Sequence, residues 1–177
     1  TPNAVAQSAP LLQSASELQV EKMLEHNTNG NKSKFHQVCT DYTLNVAWRQ
    51  ILGLELKDEE ISVFEQNVEI WIKGIMSLQV FLGINVKGHP GYKAREHIIS
   101  KIEERIDQLL EQGPDNKSTL SGMVFATDEE DPTKKLTRQE IIDNALILIF
   151  AGSETATRTL TNAMLFAGLH PTVWDKL

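Results

Sequence analysis

Residues 145–157 read ALILIFAGSETAT, and the fold turns on how this stretch is read. Ala145 to Phe150 carry no polar side chain. AGSETAT, Ala151 to Thr157, then brings in a glycine, a serine, a glutamate and two threonines. Glycine and threonine are poor helix formers, and a carboxylate beside an apolar run is costly if buried. Yet helical spacing resumes at once in LTNAMLFAGL, Leu160 to Leu169. Upstream, Thr137 followed by Glu140 forms a T-x-x-E capping box that opens the helix. Downstream, His170-Pro171 closes it. A helix of roughly thirty residues is about 45 Å long. Around 145–151 it is apolar on nearly every side. It is therefore expected to be the longest and most buried helix, crossing the centre of a domain.

The rest of the chain agrees with an all-α fold. Strand signals are nearly absent and no internal repeat is visible, while helical spacing dominates. Residues 9–27 form one helical pattern, with Leu11, Leu12, Ala15, Leu18, Met23 and Leu24 on or near one face. A turn cluster follows at Asn27–Ser33. A second helix is expected from Lys34 to Leu52, stopped by Gly53. Asp58 is read as the cap of a third, which reaches about Val80. The glycine-rich stretch Phe81–Gly91 reads as a loop. A fourth, strongly amphipathic helix spans Tyr92–Gln112, with Ile98, Ile99, Ile102, Ile106, Leu109 and Leu110 inward. Its charges Lys101, Glu104, Arg105 and Asp107 are placed on the wet face. Ser118–Ala126 suggests a short helix and Thr127–Lys135 a solvated polar loop.

Bulk properties narrow the function. The 177 residues are 41% hydrophobic and 23% charged, enough for one globular domain with a sizeable core. A formal net charge of −7 without a basic block argues against nucleic acid as a partner. The single cysteine, Cys39, excludes an internal disulfide framework and multi-cysteine metal sites. No apolar run approaches the roughly 20 residues that span a bilayer. His26, His36, His89, His97 and His170 lack the spacing of a metal site, so no protein-ligated metal is expected. N-K-S sequons occur at Asn31 and Asn116. The chain starts without Met and ends at Asp175-Lys176-Leu177 inside a helical pattern, so a piece of a longer protein is expected.

The AGSETAT stretch has a chemical reading and a plain one. Ala151 and Thr155 share a helix face, and Gly152 lets something large and flat approach the backbone. A threonine hydroxyl can bond the carbonyl four residues back and bend the helix. A local bulge with a polar notch is expected there, with Glu154 as an ionisable group beside it. That makes a proton-delivery site next to a bulky buried ligand. In the plain reading Gly152 serves close packing and Glu154 pairs with Arg158 at i, i+4. Local physics leaves both open.

The segment AGSETATRTLTNAMLFAGLHPTVWDKL resembles the distal-helix signature of the cytochromes P-450, the haem-thiolate monooxygenases. The family pattern is [AG]-G-x-[DE]-T-[TS], then an apolar helix and a His-Pro turn. Ala151, Gly152, Ser153, Glu154 and Thr155 match, and Ala156 departs mildly. TLNVAWRQILGL, Thr43 to Leu54, is similar to a family helix that ends in a hydrophobic-Gly pair. HPGYKAREHIISKIEERI, His89 to Ile106, resembles the branch that hydroxylates retinoids, sterols and other isoprenoids.

The resemblance implies the central helical part of the P-450 fold, with residues 1–177 as a partial domain. The N-terminal part and the later haem-cysteine loop F-x-x-G-x-R-x-C-x-G are absent, as is E-x-x-R. Cys39 lacks that loop's neighbours and reads as a core residue. The implied cofactor is haem b, its iron-ligating cysteine lying outside this chain. Thr155 and Glu154 would deliver protons to oxygen bound at the iron, and Ala151, Gly152 and Thr155 would face the haem. Ile147, Phe150 and Ala151 would touch an apolar small-molecule substrate. O2 is the co-substrate, and electrons would come from NADPH through a redox partner, a reductase or ferredoxin. The parent would be membrane-anchored, in the endoplasmic reticulum or a plastid if eukaryotic. The alternatives are an independent helical interaction module and an inactive truncated product.

Overall fold

The structure is a computed structural model. It describes every residue except Thr1, Asn29, Asn85, Asn116, Glu129 and Leu177, with side chains described from residue 9 onward. The sequon at Asn116 therefore lies outside the described residues. All regular elements among the described residues are helical, as the sequence pattern implied: α1 (Pro2–Thr28), α2 (Phe35–Val46), α3 (Asp58–Ile75), α4 (Leu78–Phe81), α5 (Pro90–Gln112), α6 (Thr119–Phe125), α7 (Arg138–Leu169) and α8 (Pro171–Trp174). A π-helical stretch, Ala47–Ile51, follows α2, and a 3-10 turn, Val86–Gly88, precedes α5. The chain divides into two units, Ile51–Ile147 and the flanks Thr1–Gln50 with Leu148–Leu177.

The unit Ile51–Ile147 is organised by α3 against α5. Every third or fourth residue of α5 is buried: Ala94, Ile98, Ile102, Ile106 and Leu109. Phe64, Val68 and Trp71 do the same on α3. Leu110, expected inward, is exposed, because it lies 100° round the helix from Leu109. Ile99 is half-buried. Gly74, in the last turn of α3, and Gly91, in the first turn of α5, meet backbone to backbone. A Cβ on either would lie 2.9 Å from the other's Cα.

Several boundaries differ from the sequence reading, each for a local reason. The N-cap of α3 is Lys57 rather than Asp58, and its N–H donates to the Glu60 carboxylate at 3.2 Å. α3 stops at Ile75 instead of continuing to Val80. There the Ser77 hydroxyl accepts the Val80 N–H at 3.2 Å and caps α4 as a separate turn. α5 starts at Pro90, two residues early. Pro is favourable in a first turn, and the His89 Nδ1 accepts the Gly91 N–H at 3.0 Å. The chain does turn at Gly53, at φ 63°, where a Cβ would lie only 2.6 Å from that of Ser118.

Two cations of α5 assigned to its wet face are largely covered. Lys101 bridges Glu60 and Glu104, both at 3.1 Å. The Arg105 side chain is 13% exposed and pairs with Asp115 at 2.8 Å. Asp115 also accepts the Lys117 and Ser118 N–H groups and the Ser118 hydroxyl at 2.9, 2.9 and 2.7 Å. Burial pushes the Asp115 carboxyl up. The Ser118 and Lys117 amides, the Ser118 hydroxyl and Arg105 outweigh it, holding the group well below the usual carboxylate range. On the exposed side, Asp107 receives Arg138 of α7 at 2.7 Å.

In the other unit α1 packs on α2, but only Ala15 of its described side chains is buried, and Leu18 and Leu24 are exposed. The turn between them is closed by Asn27, whose Oδ1 accepts the Ser33 N–H and hydroxyl at 3.1 and 3.0 Å. α2 buries Cys39, Thr43 and Leu44. Ala47 and Trp48 are buried in the π stretch, with the Arg49 guanidinium 4.8 Å over the Trp48 ring.

The glycine crossing and the Asp115 cluster each generate an expected outcome. Gly74→Ala and Gly91→Ala should each cost about 1–3 kcal/mol in urea unfolding, because backbone must move. Gly122→Ala, where a Cβ meets nothing within 4 Å, should instead stabilise by roughly 0.5–1 kcal/mol. Asp115 is depressed in the folded state. Its stabilisation is therefore complete above the unfolded value, near 3.9, and is lost as pH falls below it. Asp115→Asn should flatten that acid loss when urea midpoints are followed against pH.

Candidate functional site

α7 is the longest helix, 32 residues, and the Thr137–Glu140 box opens it as the sequence indicated. The Thr137 N–H and hydroxyl donate to Glu140 Oε2 at 2.8 and 2.7 Å. The expectation that 145–151 is buried on nearly every side does not hold. Ile141, Ile142, Ala145 and Leu146 are buried, then Ile149, Ser153 and Thr157, in a helical stripe. On the opposite face Ile147 is 63% exposed, and Leu148, Ala151, Gly152 and Thr155 are exposed too. Both faces are apolar in sequence, and this chain supplies packing for one.

The expected bulge is also absent. α7 runs as unbroken α-helix through AGSETAT. Thr155 Oγ1 donates to the Ala151 carbonyl at 2.6 Å, and Ser153 does the same to Ile149 at 2.6 Å. Thr159 and Thr161 repeat the pattern at 2.8 and 2.7 Å. A carbonyl oxygen has two lone pairs, so it can accept a hydroxyl and keep its backbone partner without opening the helix.

Ala151, Gly152 and Thr155 come together as one exposed strip of the helix surface. The Thr155 hydroxyl proton is committed to the Ala151 carbonyl, which leaves its lone pairs free to accept from a water. Phe150 and Glu154 flank the strip, half-buried. Glu154 Oε1 takes Arg158 Nε at 2.6 Å, which is the i, i+4 pair of the plain reading. Exposed pairs of this kind are worth about 0–1 kcal/mol.

The strip fits one side of a planar prosthetic group. Nothing larger than a methyl projects at 151–152, and a hydroxyl adjoins that flat patch. The chain does not supply a thiolate. Cys39 is buried, and burial pushes its thiol up against the lesser pull of the Thr161 hydroxyl. A thiol held neutral is a poor metal ligand. These residues therefore fit the distal side of a haem, and Cys39 does not fit its iron.

One pair of residues went unread in the sequence. Thr43 Oγ1 of α2 lies 2.7 Å from Thr157 Oγ1 of α7, both buried. Thr43 also reaches the Thr40 carbonyl at 3.1 Å, and His36 Nδ1 lies 3.3 Å from the Thr161 hydroxyl. The signal was available: Ser153, Thr157 and Thr161 recur every four residues, which is a polar stripe along one helix face. A separate apolar groove of about 470 Å³ lies further along α7, lined by Phe35, Leu160, Ala163, Met164, Ala167 and Trp174. It does not include the AGSETAT strip.

Comparison with known proteins gives a consistent picture. The profile of the family Cytochrome P-450 matches residues 3–177. Cytochrome P-450 26B1 of Xenopus tropicalis is 33% identical over 138 residues, covering 76% of this chain and 26% of that protein. The Homo sapiens protein of the same name is 28% identical over 144 residues, covering 80% and 28%. The chain thus spans about a quarter of the length of the curated relatives it matches. Among solved structures, retinoic acid bound cyanobacterial CYP120A1 shares the fold with a TM-score of 0.80 at 22% identity. The match covers 99% of this chain and 38% of that one.

The buried hydroxyl pair can be tested directly. Thr43→Val takes from the buried Thr157 hydroxyl the bond it makes to α2 and should cost about 1–3 kcal/mol, whereas Thr157→Val leaves Thr43 its bond to the Thr40 carbonyl and should cost less. The double variant should cost less than the sum of the two, read as a coupling energy from urea midpoints.

Proposed function

Because the chain belongs to the cytochrome P-450 family, we propose that residues 1–177 form the distal helical part of a haem-thiolate monooxygenase. The observation that carries this reading is the exposed strip of Ala151, Gly152 and Thr155 on α7. A helix with a second apolar face, small residues at its centre and one hydroxyl beside them suits a flat, bulky ligand. When bound, the haem supplies activation of O2 and insertion of one oxygen atom into the substrate, with electrons from NADPH through a redox partner. Cys39, buried and with its thiol pushed up, would not be the residue that holds the iron.

The protein's part is placement and proton handling. Ala151 and Gly152 let the ring approach the helix backbone. Thr155 Oγ1, anchored at 2.6 Å on the Ala151 carbonyl, accepts and orients a water beside the reacting oxygen. Glu154 exchanges protons with solvent and restores that water. Ile147 and Phe150 present apolar surface to the substrate and exclude bulk water. An apolar isoprenoid-like substrate, of the retinoid or sterol kind, is the class we favour. The retinoic acid bound to the cyanobacterial structure supports it.

The test is the coupling of product to reduced nicotinamide in the full-length enzyme. Thr155→Ala removes one hydroxyl and leaves the apolar face intact, so substrate binding should change little. A misplaced proton donor typically costs about 10² to 10⁴ in rate. Product per NADPH should fall, and hydrogen peroxide should take up the missing electrons. Glu154→Gln should slow turnover with a smaller loss of coupling. Wild-type turnover with an unchanged ratio in Thr155→Ala would reduce the strip to a packing feature.

A further inference from the structure

Every second residue of α7 from Ser153 to Thr161 carries a hydroxyl: Ser153, Thr155, Thr157, Thr159 and Thr161. Four of them keep their proton inside the helix. Ser153, Thr155, Thr159 and Thr161 donate to the carbonyls of Ile149, Ala151, Thr155 and Thr157, each four residues back, at 2.6, 2.6, 2.8 and 2.7 Å. Thr157 differs. Its hydroxyl lies 2.7 Å from Thr43 Oγ1 of α2, and both residues are buried. The Thr43 proton has its own acceptor in the Thr40 carbonyl at 3.1 Å, so Thr157 is the donor of the pair.

That exception ties α7 to a neighbouring helix two residues from Thr155. At about 1.5 Å per residue the two positions are about 3 Å apart along the axis, within one turn. The helix is unbroken there, so a shift or rotation at Thr157 is carried to Thr155. Without the Thr43 hydroxyl, the nearest acceptor of the usual kind for Thr157 is the Ser153 carbonyl four residues back. A bond there would put three such bonds in succession on one face, from Ser153, Thr157 and Thr161, and bonds of this type bend helices. The contact with α2 keeps Thr157 out of that series.

We propose that Thr43 is a positioning residue for Thr155: through Thr157 it holds α7 at the rotation and curvature in which the Thr155 hydroxyl orients its water. The inference rests on the reading of Thr155 given above, and it adds a residue of α2 to that site. An ordinary core residue at this position would affect stability and leave the ratio of product to NADPH unchanged.

The test follows product, hydrogen peroxide and NADPH in the full-length enzyme, with Thr155→Ala run in parallel. Thr43→Val should lower kcat by about tenfold, part of the ~10²-fold that an ångström of misplacement can cost, and raise the share of peroxide. Substrate affinity, read from the absorbance change on binding, should not change. Thr157→Val breaks the same bond at a smaller cost in stability and should uncouple likewise, so the test holds even where Thr43→Val folds poorly. Thr43→Ser keeps the hydroxyl and should restore wild-type coupling. Added to Thr155→Ala, Thr43→Val should bring no further loss of coupling. Threonine-methyl NMR spectra of the resting enzyme should show the Thr155 signal moved by Thr43→Val and returned by Thr43→Ser. Wild-type coupling in both valine variants, while Thr155→Ala uncouples, would overturn the proposal and leave the reading of Thr155 standing. An unchanged ratio in Thr155→Ala would remove both. A further loss in the double variant, an unmoved Thr155 signal or no rescue by Thr43→Ser would also overturn the proposal, since Thr43 would then act elsewhere than through Thr155.

Discussion

The buried contact between the Thr43 and Thr157 hydroxyls, at 2.7 Å, fixes how α7 is turned about its own axis. A hydroxyl in an apolar setting is tolerated only when its hydrogen bonds are made. Ser153, Thr157 and Thr161 therefore cannot face an arbitrary direction. Ser153 and Thr161 satisfy themselves on carbonyls one turn back, and Thr157 is satisfied by α2. Ile149 lies on the same stripe and supplies the apolar packing. With that stripe inward, Ala151, Gly152 and Thr155 must be outward. The polar residues that made this helix look irregular thus fall into two sets, one that sets its rotation and one left on its open face.

The unit Ile51–Ile147 depends on a different constraint, the backbone contact of Gly74 with Gly91. Two helices that approach this closely at their connected ends force the intervening chain outward. Ser77 then caps a separate turn, and no residue of that turn is buried. The exposed cluster around Phe81 lies in this link. At the other end of α5, Asp115 closes the segment into α6 through three hydrogen bonds from Lys117 and Ser118, besides its ion pair to Arg105.

Helix existence was legible wherever one face was apolar and the other charged. α5 is the clearest case, since Ile98, Ile102, Ile106 and Leu109 leave no other period. Capping chemistry was legible at Thr137 and Glu140 because both members lie three residues apart. Long-range polar pairing was not. Arg105 looked solvated because its partner Asp115 lies past the end of the helix, and Thr43 lies 114 residues from Thr157. The interior of α7 was misread for another reason. Periodicity reports which residues are apolar, and it cannot say whether this chain or something else covers them. A helix with two apolar faces looks fully buried in sequence, and Ile147 shows that it is not.

The same distinction bears on the two polar groups of the proposed site. Thr155 is held by a bond inside its own helix, so its oxygen keeps its position whatever occupies the open face. Glu154 is held by Arg158, a side chain that is itself largely exposed. Breaking such a pair costs about 0–1 kcal/mol, less than one tenfold step in rate. The ion pair therefore does not argue against a proton-carrying role for Glu154. It gives the carboxylate a resting place that is cheap to leave. In the proposed function a fixed hydroxyl would position a water and a mobile acid would reach solvent, and α7 holds the two candidate residues, Thr155 and Glu154, with different restraints. Under the proposed function, loss of the fixed member would misplace the proton, whereas loss of the mobile one would only delay its arrival. The difference in restraint is why the two substitutions should separate coupling from rate.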